Sequence, residues 1–192
     1  MKNFASGCLI VVVVLALSVV SLFYQANTFV DLNEEVSLQW AQVESSLLRR
    51  SELIPNLVNT VKGAVNHELA VFTEIANARK VLVDNLGTNN YEAVEEANKA
   101  LDISIERLTT LVAEDYPALA STQLFIGLMD ELAGTENRIN VARNYYNEAV
   151  REYNTAVKKF PKNIIARVMG YESIDYFEVA EEDKEVPIVS FR

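Results

Sequence analysis

The chain has 192 residues, half of them hydrophobic, enough for one ordinary globular domain with an apolar segment to spare. Acidic residues outnumber basic ones 27 to 17, the net charge is −10, and no acid precedes Asp31. Nucleic acid and anionic lipid surfaces are therefore expected to be poor partners for the acidic part, and the single cysteine, Cys8, excludes an intrachain disulfide and a cysteine metal site.

From Phe4 to Tyr24 the sequence FASGCLIVVVVLALSVVSLFY carries no charge. Its roughly 21 residues would form a helix of about 31 Å, enough to cross a hydrocarbon core. The run ends in Leu22, Phe23, Tyr24 and Gln25, a poor signal-peptidase site. Ser6-Gly7-Cys8 has lipoprotein-like residues, but it precedes the apolar run instead of following it. Residues 1–24 are thus expected to be an uncleaved single-pass anchor. Lys2 lies on one side of it, and Asp31, Glu34 and Glu35 on the other. The positive-inside rule then puts the N-terminus in the cytoplasm and the remainder outside it.

Helical periodicity continues beyond the anchor. Phe29, Leu32, Val36, Trp40, Val43 and Leu47 recur at spacings of three and four, and no glycine or proline separates them from the apolar run to interrupt a helix leaving the bilayer. That helix is expected to end near Arg50. Arg49 and Arg50 suit a helix C-terminus, and Pro55 suits the first turn of the next, so the three predict a corner. A second stripe runs through Ile54, Val58, Val61, Val65, Leu69, Phe72 and Ile75, closed by Gly87 and Asn89-Asn90. A third helix starts near Asn90 and breaks at Tyr116-Pro117. The fourth starts near Ser121 or Thr122 and runs to Phe160, with a sustained three-four alternation as in coiled-coil helices and Gly134 inside it. Short links between long amphipathic helices predict antiparallel neighbours. The expected fold is all-α: a transmembrane helix continuing into an elongated antiparallel four-helix bundle over residues 25–160. Residues 161–192 are expected to form a mostly irregular acidic tail.

Motifs for chemistry are sparse. His67-Glu68 starts like a zinc-protease helix, but Val71 stands where the second histidine belongs, and no other histidine exists. A di-iron bundle needs Glu three residues before the histidine, where Ala64 stands. There is no GxSxG and no Gly-rich phosphate loop. Neither a catalytic residue nor a metal or cofactor site is assigned, which leaves a hydrolase with an unfamiliar site at His67-Glu68 as the remote enzymatic reading.

A less ordinary pattern lies beside the apolar stripes. Asn56, Asn59, Asn66 and Asn77 follow one helical flank, and Asn140, Asn147 and Asn154 recur every seven residues with Glu136 and Arg143 on the same side. Asparagine is a mediocre helix former, so a simple solvated face would more naturally use Lys, Glu or Gln. The two flanks are candidate polar seams, within the bundle or between subunits; plain solvent exposure is the alternative.

Two long blocks carry a family resemblance. The first is RRSELIPNLV from Arg49 to Val58, with Val61-Lys62-Gly63, His67-Glu68 and Ala78-Arg79 after it. The second is TENRINVARNYYNEAVREYN from Thr135 to Asn154, with Tyr116-Pro117 before it and Phe160-Pro161 after it. In these blocks the chain resembles the LemA family of bacterial membrane-anchored helical proteins. Two departures are Ala64, where the family often has tyrosine, and Ala120, where it usually has lysine. The resemblance implies an N-terminal membrane helix, an elongated helical domain, no established catalytic activity and a role in membrane or envelope processes.

These readings predict a non-enzymatic scaffold at the bacterial inner membrane, self-associating through the amide flanks. Confinement to a membrane raises effective concentration, so weak lateral contacts can close a ring or array. The rival is a monomeric adaptor that binds another membrane or envelope protein, such as a protease or transporter.

Overall fold

The computed structural model of the chain describes residues 2–64, 69–88 and 90–177, and before Tyr24 only the side chain of Val13. Among the described residues the elements are α1 (Lys2–Lys62), α2 (Leu69–Asn85), α3 (Tyr91–Asp115), α4 (Pro117–Ala120), α5 (Gln123–Lys158) and α6 (Lys162–Met169), with no strand. The all-helical reading therefore holds. No helix is long and apolar enough to cross a membrane among the described residues. The expectation of an anchor rests on side chains of residues 4–24, nearly all of which lie outside that description.

Local sequence explains most helix ends. The Asn90 side chain accepts a hydrogen bond from the Ala93 N–H at 3.1 Å and caps α3. Pro117 opens α4, where its missing N–H costs nothing. Gly170, at φ 77°, closes α6 and lets the Tyr171 N–H return to the Ala166 carbonyl at 2.9 Å.

The corner expected at Arg49, Arg50 and Pro55 does not form. α1 continues to Lys62 with Pro55 inside it. Proline lacks the N–H that would bond the carbonyl one turn back, here that of fully buried Ser51. That carbonyl instead accepts a hydrogen bond from Arg79 Nε of α2 at 2.8 Å. A neighbouring helix thus supplies the donor that the sequence lacks locally. The chain leaves α1 at Gly63 and Ala64, so the stripe read as one second helix is divided between the end of α1 and α2. His67 and Glu68 lie outside the described residues.

The chain divides into two compact units. One comprises residues 1–39 and 145–176. Its core holds Phe29, Ala156, Ile165 and Ala166, with Leu32, Val157 and Tyr171 packed on them. Tyr171 stacks on Phe29 at 5.2 Å between ring centroids, and Tyr153 meets Tyr171 edge-on at 6.3 Å. Residues 161–176, expected to be irregular tail, are part of this unit: α6 supplies Ile165 and Ala166 to the core. Their register explains it, because adjacent apolar residues at the centre of a short helix can both turn inward.

The other unit comprises residues 40–144 and 177–192, described up to Phe177. α2 and α3 pack on each other within it. Its buried stripes keep the expected three-four spacing, for example Val43, Leu47, Ile54, Leu57 and Val61 on α1, and Val94, Leu101, Ile105, Leu108 and Val112 on α3.

Candidate functional site

The most distinctive polar feature lies in the 40–144 unit. Arg50 sits on the buried stripe of α1, three residues after Leu47 and four before Ile54, and its side chain is only 9 % exposed. Its neighbour Arg49 falls off the stripe and is exposed. Arg50 Nη1 reaches Asp102 Oδ1 on α3 at 2.6 Å and Glu136 Oε2 on α5 at 2.5 Å. The contact with Glu136 is a directed hydrogen bond. That with Asp102 Oδ1 is an ion pair. Buried Asn98, one turn before Asp102, donates to Asp102 Oδ2 at 2.9 Å.

Arg143 stands one heptad after Glu136 on α5 and extends the cluster. Burial pushes its guanidinium below the usual range, against the nearby Glu136, Asp102 and Glu95 charges. Glu95 in turn pairs with Lys99 at 2.8 Å. Three cations (Arg50, Arg143, Lys99) thus meet three carboxylates (Asp102, Glu136, Glu95), and the set balances. Burial also raises the Asp102 carboxyl above its ordinary value; Arg50 and Arg143 oppose that shift, and Glu136 adds to it. The guanidinium of Arg143 lies over the ring of Phe177 at 4.5 Å. Phe177 also faces Trp40 at 6.1 Å, and Trp40 meets Tyr91 edge-on at 4.5 Å.

This arrangement suits holding more than turnover. A guanidinium keeps its proton throughout the physiological range and cannot relay it. Each carboxylate of the cluster faces a cation. What the geometry does provide is register: one arginine from α1 meets α3 and α5 at a single level, and a slip of either helix by one turn would strand a buried charge.

The residues singled out from sequence divide into several groups. Arg50 and Arg143 enter the buried cluster, neither as a corner nor as part of an open interface. Asn154 is buried in the other unit, where its amide clasps the Ile174 backbone: Nδ2 donates to the carbonyl at 2.7 Å and Oδ1 accepts from the N–H at 2.9 Å. Its heptad spacing from Asn147 is real, but a fixed chain segment uses it. Asn147 is half-buried, whereas Asn56, Asn59, Asn77 and Asn140 are exposed, as are Arg49 and Pro55. Asn66 lies outside the described residues. Sequence reasoning placed Glu136 beside Arg143 on the asparagine flank but did not single out Asp102, Asn98 or Arg79, nor join any of them to Arg50. Arg50 carried a signal, a charge in core register; Asp102 on α3 did not, because acids on helix flanks are common. Among the described residues no group of three or more His, Cys, Asp or Glu is placed to hold a metal ion.

The model for the LemA family matches residues 39–191. The magnetosome protein MamQ of Magnetospirillum gryphiswaldense is 26 % identical over 182 residues, covering 83 % of this chain and 66 % of its own length. Magnetosome proteins MamQ 1 and MamQ 2 of Paramagnetospirillum magneticum are each 27 % identical over 183 residues, with coverage of 83 % and 67 %. The chain thus spans about two thirds of the length of these relatives.

Proposed function

The chain belongs to the LemA family, and from that premise we propose that it is a membrane-anchored, non-enzymatic helical scaffold. The apolar residues 4–24 hold it in the bacterial inner membrane, with the acidic part on the extracytoplasmic side, and copies assemble laterally into a homo-oligomer. The long segments of the 40–144 unit pack as an antiparallel four-helix bundle. The observation that carries this reading is the distribution of polar groups. Charges in core register are neutralised inside one chain, while the amides of Asn56 and Asn59 on α1, Asn77 on α2 and Asn140 on α5 stay exposed. Exposed amides on helices allow close approach with hydrogen bonding, which suits a contact between copies. The magnetosome naming of the relatives fits a part in a cellular assembly.

The test is the mass of the full chain purified in mild detergent, measured by light scattering. A discrete multimer is expected, and Asn59→Arg should lower its mass while far-UV circular dichroism stays unchanged. A monomer at every concentration would overturn the scaffold and favour an adaptor for another envelope protein.

A further inference from the structure

The net charge of the chain hides a local reversal. From Tyr153 to Tyr171 there is no acid, while Lys158, Lys159, Lys162 and Arg167 fall within that stretch. Between these cations lie Phe160, Ile164 and Val168, spaced by four residues and 75 %, 54 % and 83 % exposed. Ile164 and Val168 share one face of α6, and Phe160 precedes it. The opposite side of α6 is the buried one, where Ile165 and Ala166 pack on Phe29 of α1. An exposed apolar row flanked by basic residues is the composition of a helix that lies in a membrane interface.

Its placement in the fold gives the second argument. Phe29 is five residues beyond Tyr24, where the apolar run of α1 ends. At 1.5 Å per residue that is about 7.5 Å along the helix, comparable to the thickness of one headgroup layer. Any bilayer that holds residues 4–24 would therefore bring its headgroups to the level at which α6 is docked. On α1 itself Asp31, Glu34 and Glu35 oppose an anionic surface, as do Glu172 and Asp175 after α6, so the attraction must come from the α6 segment alone.

We propose that α6 and the residues just before it form an interfacial foot, with Phe160, Ile164 and Val168 entering the headgroup layer and Lys158, Lys159, Lys162 and Arg167 binding anionic lipid. On this proposal the expectation that anionic lipid is a poor partner for the acidic part does not extend to this segment. The foot rests on the anchored reading above. It sets how the chain leans on the bilayer, whereas the anchor sets only that it stays there. A basic side chain near an anionic surface contributes about fivefold in binding, so replacing several should release the segment.

The experiment uses the full chain, with Cys8→Ser and an environment-sensitive fluorophore on Val168→Cys, reconstituted in vesicles of phosphatidylcholine alone or with phosphatidylglycerol. Lys80→Cys, exposed on α2, is the labelled control. The expected result is a blue-shifted, lipid-quenchable signal at position 168 in the anionic vesicles. It should be weakened at least fivefold by Lys158→Glu/Lys159→Glu/Lys162→Glu, with unchanged helicity. A water-like signal at 168 while the protein still floats with the vesicles overturns the foot and spares the anchor. A signal equal in both lipids and insensitive to charge reversal overturns the anionic partner. A blue shift that appears in detergent alone and grows with protein concentration assigns the face to a second copy and also overturns it. Failure to float with either vesicle removes the anchored reading, and the foot with it.

Discussion

The joint between Pro55 and Arg79 makes a sharp prediction, because one residue creates a defect that the other fills. Arg79→Met keeps the stem and removes the guanidinium, so the buried Ser51 carbonyl loses its 2.8 Å partner. Hydrogen bonds to charged groups contribute about 1.5–3 kcal/mol, and an orphaned buried acceptor costs about 1–3 kcal/mol. A loss of about 2 kcal/mol is expected. With a urea slope of roughly 2 kcal/mol per molar, the midpoint should fall by about 1 M. In a Pro55→Ala background the alanine N–H can bond Ser51 directly, and the same Arg79→Met change should then cost less than about 0.5 kcal/mol. Pro55→Ala alone should stabilise α1, by up to about 3 kcal/mol. The assay is urea unfolding of the four proteins followed by circular dichroism, giving a coupling of about 1.5 kcal/mol or more. Additivity within about 0.5 kcal/mol, or destabilisation by Pro55→Ala, would refute the idea that α1 passes through the proline with borrowed help.

Other predictions concern the charge cluster and the Asn154 clasp. Arg50→Met should cost about 2–3 kcal/mol in the same assay, below the full range for breaking a buried pair because its carboxylate partners are about a third exposed. Replacing Arg50, Asp102 and Glu136 together by apolar residues should recover most of that loss, and a triple variant weaker than Arg50→Met would count against a compensated cluster. Asp102 has its carboxyl pKa raised by burial from 3.8, so the folded state binds more protons than the unfolded one above that pH. Its contribution is least unfavourable below about 3.8 and worsens as pH rises through the folded value. The stability of Asp102→Asn relative to the parent should therefore climb over that window; a decline would contradict the sign. Asn154→Ala should cost about 1–3 kcal/mol and speed amide exchange at Ile174, and unchanged exchange there would show that the clasp is not formed in solution.

Much of the helical framework was legible in the sequence. The stripes on α1, α3 and α5 follow the three-four rule, and the start of α3 at Asn90 and the break at Tyr116-Pro117 come from cap and proline chemistry. The misplaced corner shows where local rules stop. Pro55 removes a donor in every context, but whether the helix ends depends on a replacement donor, and Arg79 lies 28 residues away in sequence. The tail has the same lesson. Asn154 looked like an interface amide by its heptad spacing, yet its partner is the Ile174 backbone, and no side-chain pattern identifies a backbone partner. In the charge cluster, the register of Arg50 on the apolar stripe was the usable signal, although the doublet with Arg49 read as a helix end, and Glu136 was legible only as a neighbour of Arg143. Asp102 carried no signal, since a carboxylate beside a buried position is usually solvated.

Trp40 is the only tryptophan in the chain, and its indole meets the rings of both Tyr91 and Phe177. The molecule therefore contains its own optical gauge. Release of the segment around Phe177 would open one side of the indole to water and redden its emission, so undocking of that C-terminal stretch can be followed in unlabelled protein.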